Sequence, residues 1–104
     1  VALSLACREL VASGRIPSDP MRELVAAVSV GLLDGAAYLD LDYVEDSSAQ
    51  VDMNLVATES GELVEVQGTA EGHPFRRDQL DELIELGMTG IHSLLDIQRQ
   101  VLGR

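Results

Sequence analysis

The sequence predicts an α+β fold made of a helix, a four-stranded antiparallel sheet and a long C-terminal helix. Two observations carry that expectation. Apolar residues recur with a helical period at both ends of the chain and with a period of two between residues 24 and 67. The turn sequences Asp34-Gly35 and Glu59-Ser60-Gly61 then divide the central stretch into hairpins. With 104 residues, 46% of them apolar, the chain can build one core, so residues 1–104 read as a single unit.

Each element has a local reason. In residues 1–13, Ser4, Arg8 and Glu9 form one narrow polar stripe, while Leu3, Leu5, Ala6, Cys7, Leu10 and Val11 cover the other faces. Such a helix is expected to be buried on most sides. It opens without a capping residue, as though the chain started in mid-helix. Ser13-Gly14 and the connector Ile16-Pro17-Ser18-Asp19-Pro20 end it. Residues 24–33 place Val28, Val30 and Leu32 on one face and the small Ala27, Ser29 and Gly31 on the other, a strand that another element can approach closely. Residues 36–44 alternate Leu39, Leu41 and Tyr43 with Asp40 and Asp42, and residues 51–58 alternate Val51, Met53 and Leu55 with Asp52 and Asn54. A fourth strand over residues 62–67 completes a meander, and residues 68–72 read as a loop. From about residue 77 to 102 the apolar positions follow one helical face, with both helices expected to pack on the sheet. Gly87 and Gly90 lie inside that last helix, where each costs roughly 1 kcal/mol relative to alanine, so a close neighbour or a bend is expected.

Composition excludes several functions. Asp and Glu number 18 against 7 Arg and no Lys, a formal net charge of −11. Affinity for a nucleic-acid backbone comes mainly from cations that displace its counterions, so this chain does not bind nucleic acid unaided. The aromatics are only Tyr38, Tyr43 and Phe75, too few for a surface that stacks successive bases. A lone Cys7 permits no internal disulfide, which suggests a reducing, cytoplasmic setting. The apolar opening is too short for a membrane span and lacks the basic leader of a signal peptide, so no membrane partner is expected.

The densest polar cluster is Asp40, Asp42, Glu45, Asp46 and Asp52. If residues 36–44 and 51–58 are paired neighbours, Asp46 and Asp52 meet at one sheet end and form a hard-cation site suited to Mg²⁺. Spacing alone favours solvated strand-edge acids over such a site. Ser47 and Ser48 have no histidine near in sequence and read as turn residues. His73, His92 and Cys7 read as structural or solvent-facing. Arg76-Arg77 lies at a helix N-terminus, a weak signal for phosphate.

The segment LDLDYVEDSSAQVDMN, residues 39–54, followed by EVQGTAEG, residues 65–72, closely resembles the ribonuclease PH family, phosphorolytic enzymes that trim tRNA precursors at the 3′ end. VAAVSVGLLDG, residues 25–35, fits the same family, and the resemblance runs along essentially the whole chain. It implies a domain related to the catalytic subunits of polynucleotide phosphorylase and the exosome ring, assembled as a hexamer of three dimers. Inorganic phosphate, as co-substrate, attacks the terminal phosphodiester of a tRNA precursor or another RNA 3′ end and releases a nucleoside 5′-diphosphate. The family's catalytic carboxylates, in the pattern E-D-S-x-A-x-x-D-M-N, fall on Asp46 and Asp52. These two acids either hold Mg²⁺ or act as proton donors, with Asn54 as a further contact. The family's upstream Gly-Thr-Arg phosphate motif and RNA-gripping arginines have no match here, so the chain is expected to be the C-terminal portion of a subunit whose N-terminal half is absent. A non-catalytic assembly module of an exosome-like ring is the alternative that the resemblance allows.

Overall fold

The run VAAVSVGLL, small and β-branched on both faces, forms the strand on which the sheet is organised. The computed structural model describes residues 1–40 and 49–104. In chain order these form α1 (Ala2–Ala12), β1 (Val25–Leu33), β2 (Ala36–Leu39), β3 (Val51–Thr58), β4 (Leu63–Ala70) and α2 (Arg77–Leu102). The expected α+β class is borne out, with every strand pair antiparallel.

The strand order is β2-β1-β3-β4, which corrects the expected meander. β3 does not pair with β2; it lies on the other side of β1. The ladder lengths give the reason. β3 pairs with β1 from Val25↔Thr58 to Leu32↔Val51, whereas β2 meets only the last part of β1, from Val30↔Leu39 to Leu33↔Ala36. Asp34 and Gly35 both have positive φ, 54° and 79°, the geometry of a tight two-residue hairpin between β1 and β2. Asp40 follows β2 with φ of 57°, a left-handed conformation outside the extended region, and its N–H donates to the Ser29 carbonyl at 2.9 Å. The stretch 41–44 expected to continue this strand lies outside the described residues.

β4 runs on to Ala70, through the stretch expected to be a loop. Gly68 had signalled a break. It stands opposite Met53, and a Cβ at this position would sit 3.3 Å from Met53 Cε, so the missing side chain makes room for a buried one. β4 is the outer strand beside β3, and Leu63, Val64 and Val66 on it are exposed.

One face of the sheet is covered by α2, which packs against β1, β2 and β3. One cluster joins Leu24, Ala26, Leu55 and Ala57 to Ile91, Leu95 and Leu102; the other joins Val30, Leu32, Val51 and Met53 to Leu83. The helix can come this close because of its glycines. A Cβ on Gly87 would lie 2.6 Å from Leu55 Cδ2, and one on Gly90 would lie 2.8 Å from Leu39 Cδ2. Of the two alternatives expected at these glycines, a close neighbour or a bend, the structure has the close neighbour. Gln98, a polar residue among the apolar positions of this helix, donates from Nε2 to the Val25 carbonyl at 3.0 Å. Leu94 and Val101, expected on the packed face, are exposed along with Ile97.

Both ends of α2 are closed. Gln79 Oε1, on the third helical residue, accepts from the Arg76 N–H at 2.9 Å, the back-reaching bond of a capping box, which satisfies the N–H of the cap residue itself. At the other end Gly103, with φ of 72°, lets Arg104 N–H reach the Arg99 carbonyl at 2.9 Å and its own N–H reach Gln100 at 3.3 Å, a Schellman motif. Glu59 ties this end to the sheet: it accepts from Leu24 N–H at 2.9 Å and lies 3.5 Å from Arg99 and 3.8 Å from Arg104.

α1 departs from expectation. Among the described residues it makes no packing with a strand comparable to that of α2. Its covered line is Ser4 and Cys7, one turn apart, while Leu3 is 65% exposed and Leu5 46%. A helix apolar on most sides presents only one line to its neighbours, and here that line includes a residue assigned to the polar stripe. The Ser4 hydroxyl is buried without a hydrogen-bond partner.

Two stability measurements test this packing. Gly87→Val forces two branches against the fully buried Leu55, and thermal or denaturant unfolding should show a loss of about 2 kcal/mol or more. Ser4→Ala removes the unsatisfied hydroxyl and improves helix propensity, so it should raise the unfolding free energy by about 1 kcal/mol. A destabilised Ser4→Ala would mean that the hydroxyl is satisfied after all.

Candidate functional site

β3 separates two chemistries by simple alternation. Val51, Met53, Leu55 and Ala57 point under α2 and are at most 1% exposed, so Asp52 and Asn54 necessarily face the other side of the sheet, where both are exposed. Cross-strand register then sets their neighbours. Asp52 lies between Gly31 of β1 and Thr69 of β4, and Asn54 lies between Ser29 and Gln67. Gly31 has no side chain to crowd the carboxylate. Ser29 Oγ–H donates to Asn54 Oδ1 at 3.0 Å, linking the second row across β1 and β3.

Beside this row opens a cavity of about 690 Å³ that reaches around β1 past the end of β2. Its polar lining includes Ser29, Asn54, Asp40 and Glu65, and its apolar wall includes Val56 and Leu94. A smaller cavity of about 200 Å³ lies between the sheet end and the start of α2, lined by His73, Phe75, Arg76 and Gln50 among others.

Of the two acids singled out by sequence, Asp52 stands on the open polar face, and Asp46 lies outside the described residues, as do Asp42, Glu45, Ser47 and Ser48. The premise that brought the two acids together, pairing of their two strands as neighbours, does not hold, because β1 lies between β2 and β3. Among the described residues no three His, Cys, Asp or Glu side chains gather as a metal site. His73 and His92 are exposed, and Cys7 is a free, buried thiol. No helix of the described residues is long and apolar enough to cross a membrane.

Arg76 is engaged with its own helix. Its Nε donates to Asp78 Oδ1 at 3.0 Å, and this hydrogen bond holds the Asp78 carboxyl below the ordinary aspartate range. A negative charge in the first turn also suits the helix dipole. Sequence reading missed Ser29, which looked only like a small residue on the side away from the core. The available signal was the register of β1 against β3, hidden while β3 was assigned to β2.

A four-stranded antiparallel sheet with one face sealed by a helix and the other carrying an acid and an oriented amide defines an α+β domain whose candidate site lies on the open sheet face. The family model described as 3′ exoribonuclease family, domain 2, matches residues 23–90, and the chain belongs to that family. It is similar to ribonuclease PH of Moorella thermoacetica, 58% identical over 103 residues that make up 99% of this chain and 41% of the relative. It is likewise similar to ribonuclease PH of a Synechococcus species, 56% identical over 100 residues, 96% of this chain and 40% of the relative. The resemblance carried by residues 39–54 and 65–72 is thereby borne out, and the chain spans about two fifths of the length of these relatives.

The Arg76 contact gives a pH test. Asp78 has a lowered pKa, so its favourable contribution is present at neutral pH and is lost as the pH falls through that lowered value. In Arg76→Ala, a carboxyl titration followed by NMR should show Asp78 moving up toward the ordinary aspartate range. An unchanged titration would assign the shift to something other than the guanidinium.

Proposed function

We propose that this chain supplies the carboxylate-bearing part of a phosphate-dependent 3′-to-5′ exoribonuclease that trims tRNA precursors and other RNA 3′ ends, including rRNA, releasing nucleoside 5′-diphosphates. The observation that carries the reading is the pattern Glu45-Asp46-Ser47-Ser48-Ala49-Gln50-Val51-Asp52-Met53-Asn54 in a chain with ribonuclease PH relatives along its whole length. Retention of both acids favours this over a non-catalytic module of an exosome-like ring, which has no use for them.

The chemistry follows from the reaction. Displacing a ribose 3′ oxygen develops negative charge on that oxygen, which needs a proton or a cation, while the attacking phosphate needs positive groups around it. Asp46 and Asp52 serve the leaving oxygen, either by holding Mg²⁺ or by giving a proton. Mg²⁺ takes one or two protein carboxylates and fills its other positions with water and phosphate oxygens, and an exposed Asp52 beside a residue without a side chain suits that demand. Phosphate and RNA are gripped elsewhere, because a chain of net charge −11 repels both. We therefore assign those contacts to an N-terminal half like the remaining three fifths of the relatives, working in a cytoplasmic hexamer of three dimers. The exposed Leu3, Leu5, Val64 and Val66 are apolar surface available for such contacts.

In the full-length protein, Asp52→Asn should cut phosphorolysis at least a hundredfold, about 3 kcal/mol of transition-state stabilisation, with RNA affinity nearly unchanged. The amide keeps the shape of the carboxylate but has neither the charge nor an acidic proton to give. Nucleoside diphosphate release from RNA, measured against phosphate, is the assay. Activity within threefold of the parent would refute the role of Asp52, and partial rescue by excess Mg²⁺ would identify it as a metal ligand.

A further inference from the structure

Asn54 lies two residues from Asp52 on the same strand, so the two side chains emerge side by side on the open face, with Cα atoms about 7 Å apart. A carboxamide has two unlike ends. At Asn54 the oxygen end is taken, because Oδ1 accepts the Ser29 hydroxyl proton at 3.0 Å. The amide's remaining capacity is chiefly the donation of its two N–H groups. Both Ser29 and Asn54 also line the 690 Å³ cavity, so that donor borders a space large enough for a nucleotide. The carboxylates around it, Asp40 and Glu65 in the cavity wall and Asp52 on the same face, are acceptors; Gln67 and Thr69, across from Asn54 and Asp52 on β4, also carry donors, but Asn54 is the amide that lines the cavity and is oriented by Ser29.

We propose that Asn54 donates from Nδ2 to a phosphate or ribose oxygen of the RNA 3′-terminal nucleotide, and that Ser29 is a positioning residue that turns the amide so that its N–H groups, rather than its oxygen, meet the substrate. This rests on the phosphorolytic reading and adds to it two residues with distinct tasks. Ser29 comes from β1 and acts through Asn54 only, so its effect exists only while the Asn54 amide is present. Serine is suited to this task because its hydroxyl donates to Asn54 without filling the space beside Asp52.

The test is steady-state phosphorolysis of an RNA 3′ end by the full-length protein, with thermal midpoints recorded for every variant. Asn54→Ala should lower kcat/KM by about tenfold to a hundredfold, the range for one hydrogen bond to a charged or developing charge. Asn54→Asp keeps the bond from Ser29 but puts an acceptor where the donor stood, and should be worse than Asn54→Ala. Ser29→Ala should lose a smaller factor, about threefold to tenfold, expressed in kcat more than in KM, and Ser29→Thr should restore it. In the Asn54→Ala background, Ser29→Ala should have no further effect, the non-additivity expected of one residue acting through another. Additive losses would overturn the positioning role of Ser29. Asn54→Ala or Asn54→Asp within threefold of the parent would overturn the donor role of Asn54. A parent protein that releases no nucleoside diphosphate while binding RNA would overturn the phosphorolytic reading itself, and this inference with it.

Discussion

The register of β3 beneath α2 is the constraint on which the rest depends. Val51, Met53, Leu55 and Ala57 are sealed on one face, and of the residues between them Asp52 and Asn54 are exposed on the other and Val56 is half-buried. A slip of one residue would drive a carboxylate and an amide into an apolar layer and bring the inner row out to water, a change far beyond the marginal stability of a domain this size. The candidate functional face is therefore held in orientation by the core behind it. Stability and the proposed chemistry fall on alternate residues of one strand.

That core is thin and closely layered. Gly87 against Leu55 and Gly90 against Leu39 let the axis of α2 approach the sheet more closely than any side chain at those positions would allow. The glycines lower helix propensity, and the burial of Leu55, Leu83, Ile91 and Leu95, all fully covered, offsets that loss. Glu59, accepting from Leu24 N–H and facing Arg99 and Arg104, fixes the far end of the helix over the β3–β4 turn. Three of the chain's scarce cations, Arg76, Arg99 and Arg104, are thus drawn into contacts with its own acids.

The same distribution of charge shapes the function proposed for the open face. An acidic domain with three of its seven arginines engaged at the ends of α2 offers carboxylates and neutral hydrogen-bond donors to a substrate rather than net electrostatic attraction. Division of labour follows. In the proposed reaction the carboxylate side is built on the sheet, where a side chain is aimed by register, and the attraction for phosphate and RNA is assigned to residues beyond these 104.

Sequence by itself determined the element types, the α+β class, the faces of β1 and β3, the close approach at Gly87 and Gly90, and, through residues 39–54 and 65–72, the family and Asp52 as a candidate. These are properties of local periodicity, turn chemistry and motif, which a short window of chain contains. Tertiary structure alone decided that β1 lies between β2 and β3, that Gly68 belongs to a strand, that Ser4 rather than Leu3 is covered on α1, and that Ser29 meets Asn54. The reason is physical: alternation states which face a residue occupies and is silent on which strand lies alongside it. That choice is made by the competition among long-range ladders, and the long β1–β3 ladder covers far more of β1 than the short one it makes with β2.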